Sequence, residues 1–170
     1  MLISTGRILH PAFLVDLMPT QRYCCVVIPD LVNIGGPWKV LPPGVHEASL
    51  KEIELGYAIN DHRRMLFDGF KAGFENLTAA GCKNIFLDGG YVGENPKPKD
   101  FDVCWDHKGV DSALIDPVLL DYSDKRKAQL QKYKGEFFLS LGAASLRVFY
   151  FIYFQRDKFT GKPKGIIRVH

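Results

Sequence analysis

The strongest constraint on this fold is a pair of glycines followed, ten residues later, by two aspartates. Gly89-Gly90 interrupts a short apolar strand, and Asp100 and Asp102 flank Phe101 where the next strand opens. Because alternate side chains of a strand point the same way, we expect the two aspartates to project together while Phe101 turns into the core. Two adjacent carboxylates repel each other unless a cation lies between them. The spacing therefore predicts a strand, a glycine turn, a second strand and a cation site.

Mg²⁺ is the cation that this pattern favours. It prefers oxygen ligands, and it is often held by one or two carboxylates together with the phosphates of a substrate. The glycines leave no side chains beside the aspartates, so backbone N–H groups can come close to a phosphate. The stretch from Gly89 to Asp102 is therefore a candidate site for a phosphorylated ligand.

Composition excludes several other classes. Hydrophobic residues make up 46% of the 170 residues, enough for a packed core, and a formal charge of +3 lies well below the basic excess usual for nucleic-acid-binding proteins. The four cysteines form no CxxC pair, which argues against a zinc site and favours reduced thiols. The chain has no apolar run of membrane-spanning length and no clear signal peptide, so we expect a cytoplasmic protein without a membrane partner.

Helical and extended segments mix along the chain, which predicts an α/β or α+β fold. We expect an N-terminal appendage over 1–27, to which no function is assigned, and a single domain over 28–170. The domain should open with a turn-rich lead-in over 28–45, and Ser49 and Glu52 form a capping box at a helix start. Helices are expected over 50–56, 61–80 and 123–133, and strands over 83–88, 101–105, 146–155 and 166–169.

The Gly-Gly turn followed by Asp100-Phe101-Asp102 resembles the hallmark of the nucleotidyltransferase superfamily, the polymerase-beta-like enzymes. The resemblance implies a small mixed sheet flanked by helices. It also implies transfer of a nucleoside monophosphate from an NTP with Mg²⁺ or Mn²⁺ as cofactor. On this resemblance, Gly89, Gly90 and Tyr91 would bind the nucleotide, and Asp100 and Asp102 would be the catalytic and metal-binding residues.

The chain also resembles a small bacterial family of uncharacterised nucleotidyltransferase-like proteins over about residues 28–170. The resemblance is carried by the runs Leu41-Pro42-Pro43-Gly44-Val45-His46-Glu47-Ala48, Ala80-Gly81-Cys82, Leu87-Asp88-Gly89, Asp102-Val103-Cys104-Trp105-Asp106 and Gly165-Ile166-Ile167. Two features depart from that pattern. Gly90 stands where the family usually has Ser. The later strand expected over 146–155 has no acid near Ile152, where a third catalytic carboxylate is expected.

The leading hypothesis is a Mg²⁺-dependent, ATP- or other NTP-binding nucleotidyltransferase. Its acceptor would be a hydroxyl of an RNA, a protein or a small molecule, and a cognate partner protein would be expected if it belongs to a toxin–antitoxin or defence pair. The alternative is a catalytically inactive member that binds a partner or a nucleotide. A third interpretation, an RNA-binding module, depends on the basic helix with Lys125, Arg126, Lys127 and Lys132, although such runs are usually solvated helix faces.

Overall fold

The computed structural model describes residues 28–145 and 148–170, so the predicted appendage over 1–27 lies outside the described residues. A five-stranded sheet in the order β1-β7-β2-β3-β4 forms the centre. Its strands are β1 (Gly44–Ala48), β2 (Ile85–Asp88), β3 (Asp102–Trp105), β4 (Glu136–Leu139) and β7 (Gly165–Val169). The pairs β1–β7 and β3–β4 are parallel, whereas β2 is antiparallel to both of its neighbours. A second, antiparallel sheet consists of β5 (Ala143–Ser145) and β6 (Val148–Phe149).

The described residues contain four α-helices. They are α1 (Leu50–Tyr57), α2 (Asp61–Ala79), α3 (Lys127–Tyr133) and α4 (Tyr150–Tyr153). The predicted capping box starts α1, where the backbone N–H of Ser49 donates to Glu52 at 2.7 Å and that of Glu52 donates to the Ser49 hydroxyl at 3.3 Å. The mixed sheet with flanking helices confirms the predicted α+β class. No helix in the two described ranges has both the length and the apolar character to cross a membrane.

The two faces of the sheet have different coverings. One face contributes Leu87, Val103 and Phe137 to the main core, which also contains the apolar side of α2. The opposite face contributes Phe86, Cys104 and Phe138 to a smaller cluster with residues 150, 151 and 154. Side chains at paired positions of neighbouring strands lie on the same face, so this division follows directly from the register.

The prediction of a long strand over 146–155 is wrong. Residues 148–149 do form a strand, but the chain then turns into α4, and residues 146–147 lie outside the described residues. The helical turn places Tyr150 and Phe154 one turn apart, and both rings contact Phe138, at centroid distances of 4.4 and 5.0 Å. Packing onto the sheet face therefore outweighs the β-propensity of the aromatic run.

The basic helix predicted over 123–133 begins later than expected. Residues Asp124, Lys125 and Arg126 form a single turn with φ of 42°, 53° and 58°, and α3 starts only at Lys127. Left-handed backbone costs a non-glycine residue roughly 1–2 kcal/mol, so three such residues in a row need compensating contacts. The sequence analysis also missed β1, which begins at the end of the supposed lead-in, and β4.

Candidate active site

Three acidic side chains form a row across adjacent strands of the sheet. Asp88, the last residue of β2, is paired with Asp102, the first residue of β3. Asp102 is in turn paired with Glu136, the first residue of β4. Residues aligned in this way project from the same face of a sheet, which here is the face of the smaller aromatic cluster. The predicted glycine turn and the aspartates are thus joined by an acid from a third strand.

Asp100 lies two residues before Asp102, ahead of the first residue of β3. Its carboxylate is partly buried and comes within 3.8 Å of the Lys99 ammonium group. Burial raises the pKa of Asp100, and Lys99 and Lys158 oppose this rise. Asp100 in turn raises the pKa of both Asp102 and Glu136, so the three carboxyl groups interact electrostatically. The structure therefore brings together the two predicted metal ligands and Glu136.

Glu136 is the residue that the sequence analysis did not find. The search for a third carboxylate was directed to 146–155, where there is no acid, but Glu136 enters from the strand that lies beside β3. Its side chain is 23% exposed, and burial together with Asp100 raises its pKa. The run Glu136-Phe137-Phe138-Leu139 directly after Gly135 could have indicated a short buried strand.

Among Asp100, Asp102 and Glu136, the pKa of Asp102 is raised the most. Burial, followed by the neighbouring Asp88, Asp100 and Glu136, raises the pKa of Asp102 to about 8, while Lys164 opposes this rise. Asp102 nevertheless keeps some exposed surface. A carboxyl group with this pKa is largely protonated at neutral pH unless a cation approaches it. Its surroundings therefore favour binding of a positive charge.

Asp88 forms an ion pair with a lysine, Lys164. The side chain is almost fully buried, and its Oδ1 accepts a hydrogen bond from the ammonium group of Lys164, which is only 11% exposed. Burial raises the pKa of Asp88, and Lys164 opposes that effect. Lys164 directly precedes β7, so this ion pair ties the end of β2 to the start of the neighbouring strand. Asp88 therefore has a structural partner that Asp102 does not have.

Gly89 and Gly90 differ in whether the surroundings leave space for a side chain. Gly89 has φ of 83°, and a Cβ atom there would lie 2.6 Å from the Oδ2 atom of Asp102, so a side chain is excluded. At Gly90 a Cβ atom would meet only Pro98 at 3.5 Å and Asn95 at 3.8 Å, which are ordinary contacts. A serine side chain at position 90 would therefore fit here without strain.

Tyr91 was predicted to bind the nucleotide, but its side chain lies in the hydrophobic core. Its ring is fully buried, 6.0 Å from the ring of Tyr57 and 4.8 Å from the guanidinium carbon of Arg63. The cleft is lined by Gly89, Gly90 and Val92, whereas Tyr91 is not part of its wall. The tyrosine ring therefore stabilises the turn from within the core.

The acidic row opens into a cleft of about 750 Å³, which is within the range usual for small-molecule sites. Besides the carboxylates, the walls carry positive charges and aromatic rings. The basic lining residues are Lys39, Arg126, Arg156, Lys158 and Lys164, and the aromatic ones are Trp38, Phe138, Tyr150, Tyr153, Phe154 and Phe159. Acidic, basic and aromatic groups in one cleft suit a ligand that has phosphates, a bound cation and a flat ring.

A divalent cation fits the donor set of this site. Asp100, Asp102 and Glu136 supply only oxygen ligands, as Mg²⁺ and Mn²⁺ require, and their mutual repulsion would be relieved by a cation. Within residues 28–145 and 148–170, no three acidic, histidine or cysteine side chains are already grouped as a metal site. Mg²⁺ does not need such a group, since one or two carboxylates with substrate phosphates are sufficient.

The fold and the site define an α+β domain with an acidic row at the end of a mixed sheet. Residues 37–170 match the model of a family of unknown function, DUF6932, and the chain belongs to this family. No significant match to the chain was found among curated proteins or among solved structures.

Proposed function

We propose that this protein is a Mg²⁺-dependent nucleotidyltransferase that moves a nucleoside monophosphate from an NTP to a hydroxyl group of an acceptor. The observation that supports it best is the position of Glu136. A strand that sequence reasoning did not find places a third carboxylate beside Asp102. The carboxylate of Asp102 in turn lies next to Gly89 of the glycine turn. The nucleotidyltransferase resemblance requires an acid in this role, and the absence of an acid over 146–155 no longer counts against it.

In this proposal Asp100, Asp102 and Glu136 hold the cation, and the backbone at Gly89-Gly90 lies against the phosphates. When bound, Mg²⁺ supplies positive charge that offsets the charge developing on the phosphate oxygens. The aromatic wall has room for the base. Lys164 keeps Asp88 in place behind the turn, so that the glycines stay close to Asp102.

The acceptor hydroxyl oxygen forms a bond to the α-phosphorus of the NTP. The bond from that phosphorus to the bridging oxygen breaks, and pyrophosphate leaves with the electron pair. The hydroxyl proton passes to a carboxylate of the acidic row. The acceptor can be an RNA, a protein or a small molecule, and a cognate partner protein remains part of the hypothesis.

The competing proposal is a member that binds a nucleotide or a partner without turnover. It is favoured by one observation, namely that the described acidic side chains are not already grouped around a common metal position. The two proposals differ in whether labelled NMP is transferred. A member that binds a nucleotide would still bind NTP, whereas a member that binds only a partner would not.

The experiment is calorimetric titration of the four NTPs with and without Mg²⁺, followed by transfer assays with α-labelled NTP on RNA and protein acceptors. We expect binding that requires Mg²⁺ and is lost in Asp100→Asn/Asp102→Asn. Glu136→Gln should reduce transfer by about a thousandfold, since metal-assisted charge stabilisation is worth several kcal/mol. Gly90→Ser should keep binding, whereas Gly89→Ser should abolish it.

Glu75→Gln is the matched control, because Glu75 is an exposed acid of α2 outside the cleft. It should leave both binding and transfer unchanged. A folded wild-type protein that binds no NTP in Mg²⁺ would refute the proposal. Binding that is lost with the aspartates, without transfer to any acceptor, would favour the inactive alternative.

A further inference from the structure

Arg126 lines the cleft and has a left-handed backbone conformation, which is rare for a residue other than glycine. It is the last of the three consecutive left-handed residues before α3, and it lines the cleft together with Asp102 and Glu136. Two other basic side chains of this segment are paired outside the cleft, with Lys127 3.6 Å from Asp124 and Lys132 bonded to Asp116. Of these three strained residues only Arg126 lines the cleft, which points to a function of its side chain.

Aromatic rings hold the guanidinium group of Arg126. Its central carbon lies 3.9 Å from the centroid of Phe138, 5.4 Å from that of Tyr122 and 5.7 Å from that of Tyr150. Cation–π attraction to these rings stabilises the charge in a partly desolvated place. Ring faces leave the in-plane N–H donors of a guanidinium group free for other partners.

Few of those donors are used. One Nη donates to the Tyr150 hydroxyl at 3.4 Å, and the other is 4.0 Å from Glu136 Oε1, beyond hydrogen-bonding distance. The Nε atom is shielded from solvent and has no hydrogen-bond partner within the described ranges. An unsatisfied buried donor is costly, so it needs an explanation.

Arg63 shows what a purely structural arginine looks like in this protein. It is 1% exposed, and it also lies over two tyrosine rings. Its nitrogens donate to the backbone carbonyl oxygens of Tyr57 at 2.6 Å, of Asn95 at 2.5 Å and of Tyr91. All three donor directions of Arg63 are occupied by protein, whereas Arg126, which lines the cleft, donates only to the Tyr150 hydroxyl among the described residues.

The ion pair with Glu136 leaves the N–H donors of Arg126 available. The Nη atom of Arg126 and the Oε1 atom of Glu136 are 4.0 Å apart, which is too far for a hydrogen bond. A ligand with several anionic oxygens could accept from more than one guanidinium nitrogen at once. Arg156, Lys158 and Lys164 line the same cleft and add to its attraction for such a ligand.

We propose that Arg126 is the oligophosphate-binding residue of the cleft and that its free N–H donors bind phosphate oxygens of the substrate. The inference deepens the proposed function and rests on it for the identity of the substrate, an NTP. The binding of the phosphates themselves involves Arg126 and the aromatic rings around it, and it does not require the carboxylates to hold a metal.

The test is titration of the full chain with inorganic tripolyphosphate in EDTA, so that metal binding plays no part. We expect Arg126→Gln to weaken this binding by about tenfold to a hundredfold, the usual range for hydrogen bonds to a charged group. Arg126→Lys keeps the charge but not the fork of donors, so it should bind with intermediate affinity. Arg168→Gln is the matched control, since Arg168 is an arginine of β7 outside the cleft, and it should bind as the wild type does.

Equal binding by wild type, Arg126→Gln and Arg126→Lys, each shown to unfold cooperatively, would overturn the inference, as would the absence of tripolyphosphate binding to the wild type. These results are separate from those that concern catalysis. NMP transfer by an enzyme whose tripolyphosphate affinity does not depend on Arg126 would overturn this inference alone. Arg126-dependent tripolyphosphate binding, without Mg²⁺-dependent NTP binding, would support the anion site and remove the proposed function.

Discussion

Asp88 and Asp102 face each other across β2 and β3, yet their carboxyl groups have opposite surroundings. Asp88, which directly precedes the glycine turn, is nearly fully buried and accepts a hydrogen bond from Lys164. Asp102 lies among three other acids, keeps some exposed surface and has no cation bonded to it within the described ranges. The comparison teaches that position on a sheet does not decide the role of an acid. The supply of positive charge separates a structural carboxylate from one that is ready to bind a cation.

The largest effect is expected for loss of the Asp88 charge. Asp88→Asn leaves the Lys164 ammonium group unpaired in a place that is only 11% exposed, and removing one partner of a buried ion pair costs about 3–5 kcal/mol. Asp102→Asn should leave stability unchanged or raise it, because it removes a carboxyl group surrounded by like charges. Urea unfolding at pH 7 in EDTA measures both.

The double variant Asp88→Asn/Lys164→Met is the control for this prediction. It removes the stranded charge together with its partner, so it should recover part of the lost stability. If Asp88→Asn and Asp102→Asn destabilised the protein equally, the distinction between the two aspartates would be wrong.

A smaller effect is expected from pH. The pKa of Asp102 is about 8 in the folded protein and about 4 in the unfolded chain, so between these values the folded state binds more protons. The free energy of unfolding therefore falls as pH rises through this range, by at most about 1.4 kcal/mol per pH unit. Asp102→Asn lacks this contribution, so its stability advantage over wild type should grow from pH 5 to pH 7.5.

Denaturant titrations of the two proteins at several pH values in EDTA check this expectation. Other titrating groups are common to both, so the difference between the two curves isolates Asp102. A difference that stays constant from pH 5 to pH 7.5 would show that Asp102 ionises in the folded state as it does in a free peptide.

The smallest effect is expected at an exposed pair of the same sheet. Arg168 and Glu47 lie on neighbouring strands, and an Nη atom of Arg168 is 3.3 Å from Oε1 of Glu47. Their side chains are 41% and 42% exposed. Solvent and salt screen such pairs, so Arg168→Gln should cost less than about 1 kcal/mol. Unfolding at low and high salt measures it. A loss as large as that of Asp88→Asn would mean that burial is not what makes the Lys164 pair important.

Local chemistry made several elements predictable. The capping box at Ser49, the helix beginning after Asn60 and the glycine turn after β2 all depend on residues close together in the chain, and the structure has them where the pattern indicated. Asp100 and Asp102 do come together at the start of β3. The grouping of 28–170 as one domain and the nucleotidyltransferase assignment stay predictions.

The failures have a common physical cause. The aromatic run after residue 147 has strong β-propensity, but its rings pack on Phe138 in a helical turn. The left-handed turn at 124–126 has no glycine to announce it. The residues around Glu136 could have indicated a short strand, but the pairing of that strand with β3 is not visible in the local sequence. In each case, contacts between distant segments decide the conformation, and a local pattern does not contain them.

The sequence by itself determined the class of fold and the glycine turn with its two aspartates. These follow from backbone freedom and from side-chain alternation, which act over a few residues. Only the tertiary structure decided that Glu136 stands beside Asp102, that Lys164 pairs with Asp88 and that Arg126 faces the same cleft. The pairing of β3 with β4 and of β2 with β7 brings these residues together across the chain, because strand pairing and the packing of two sheet faces are properties of the whole domain.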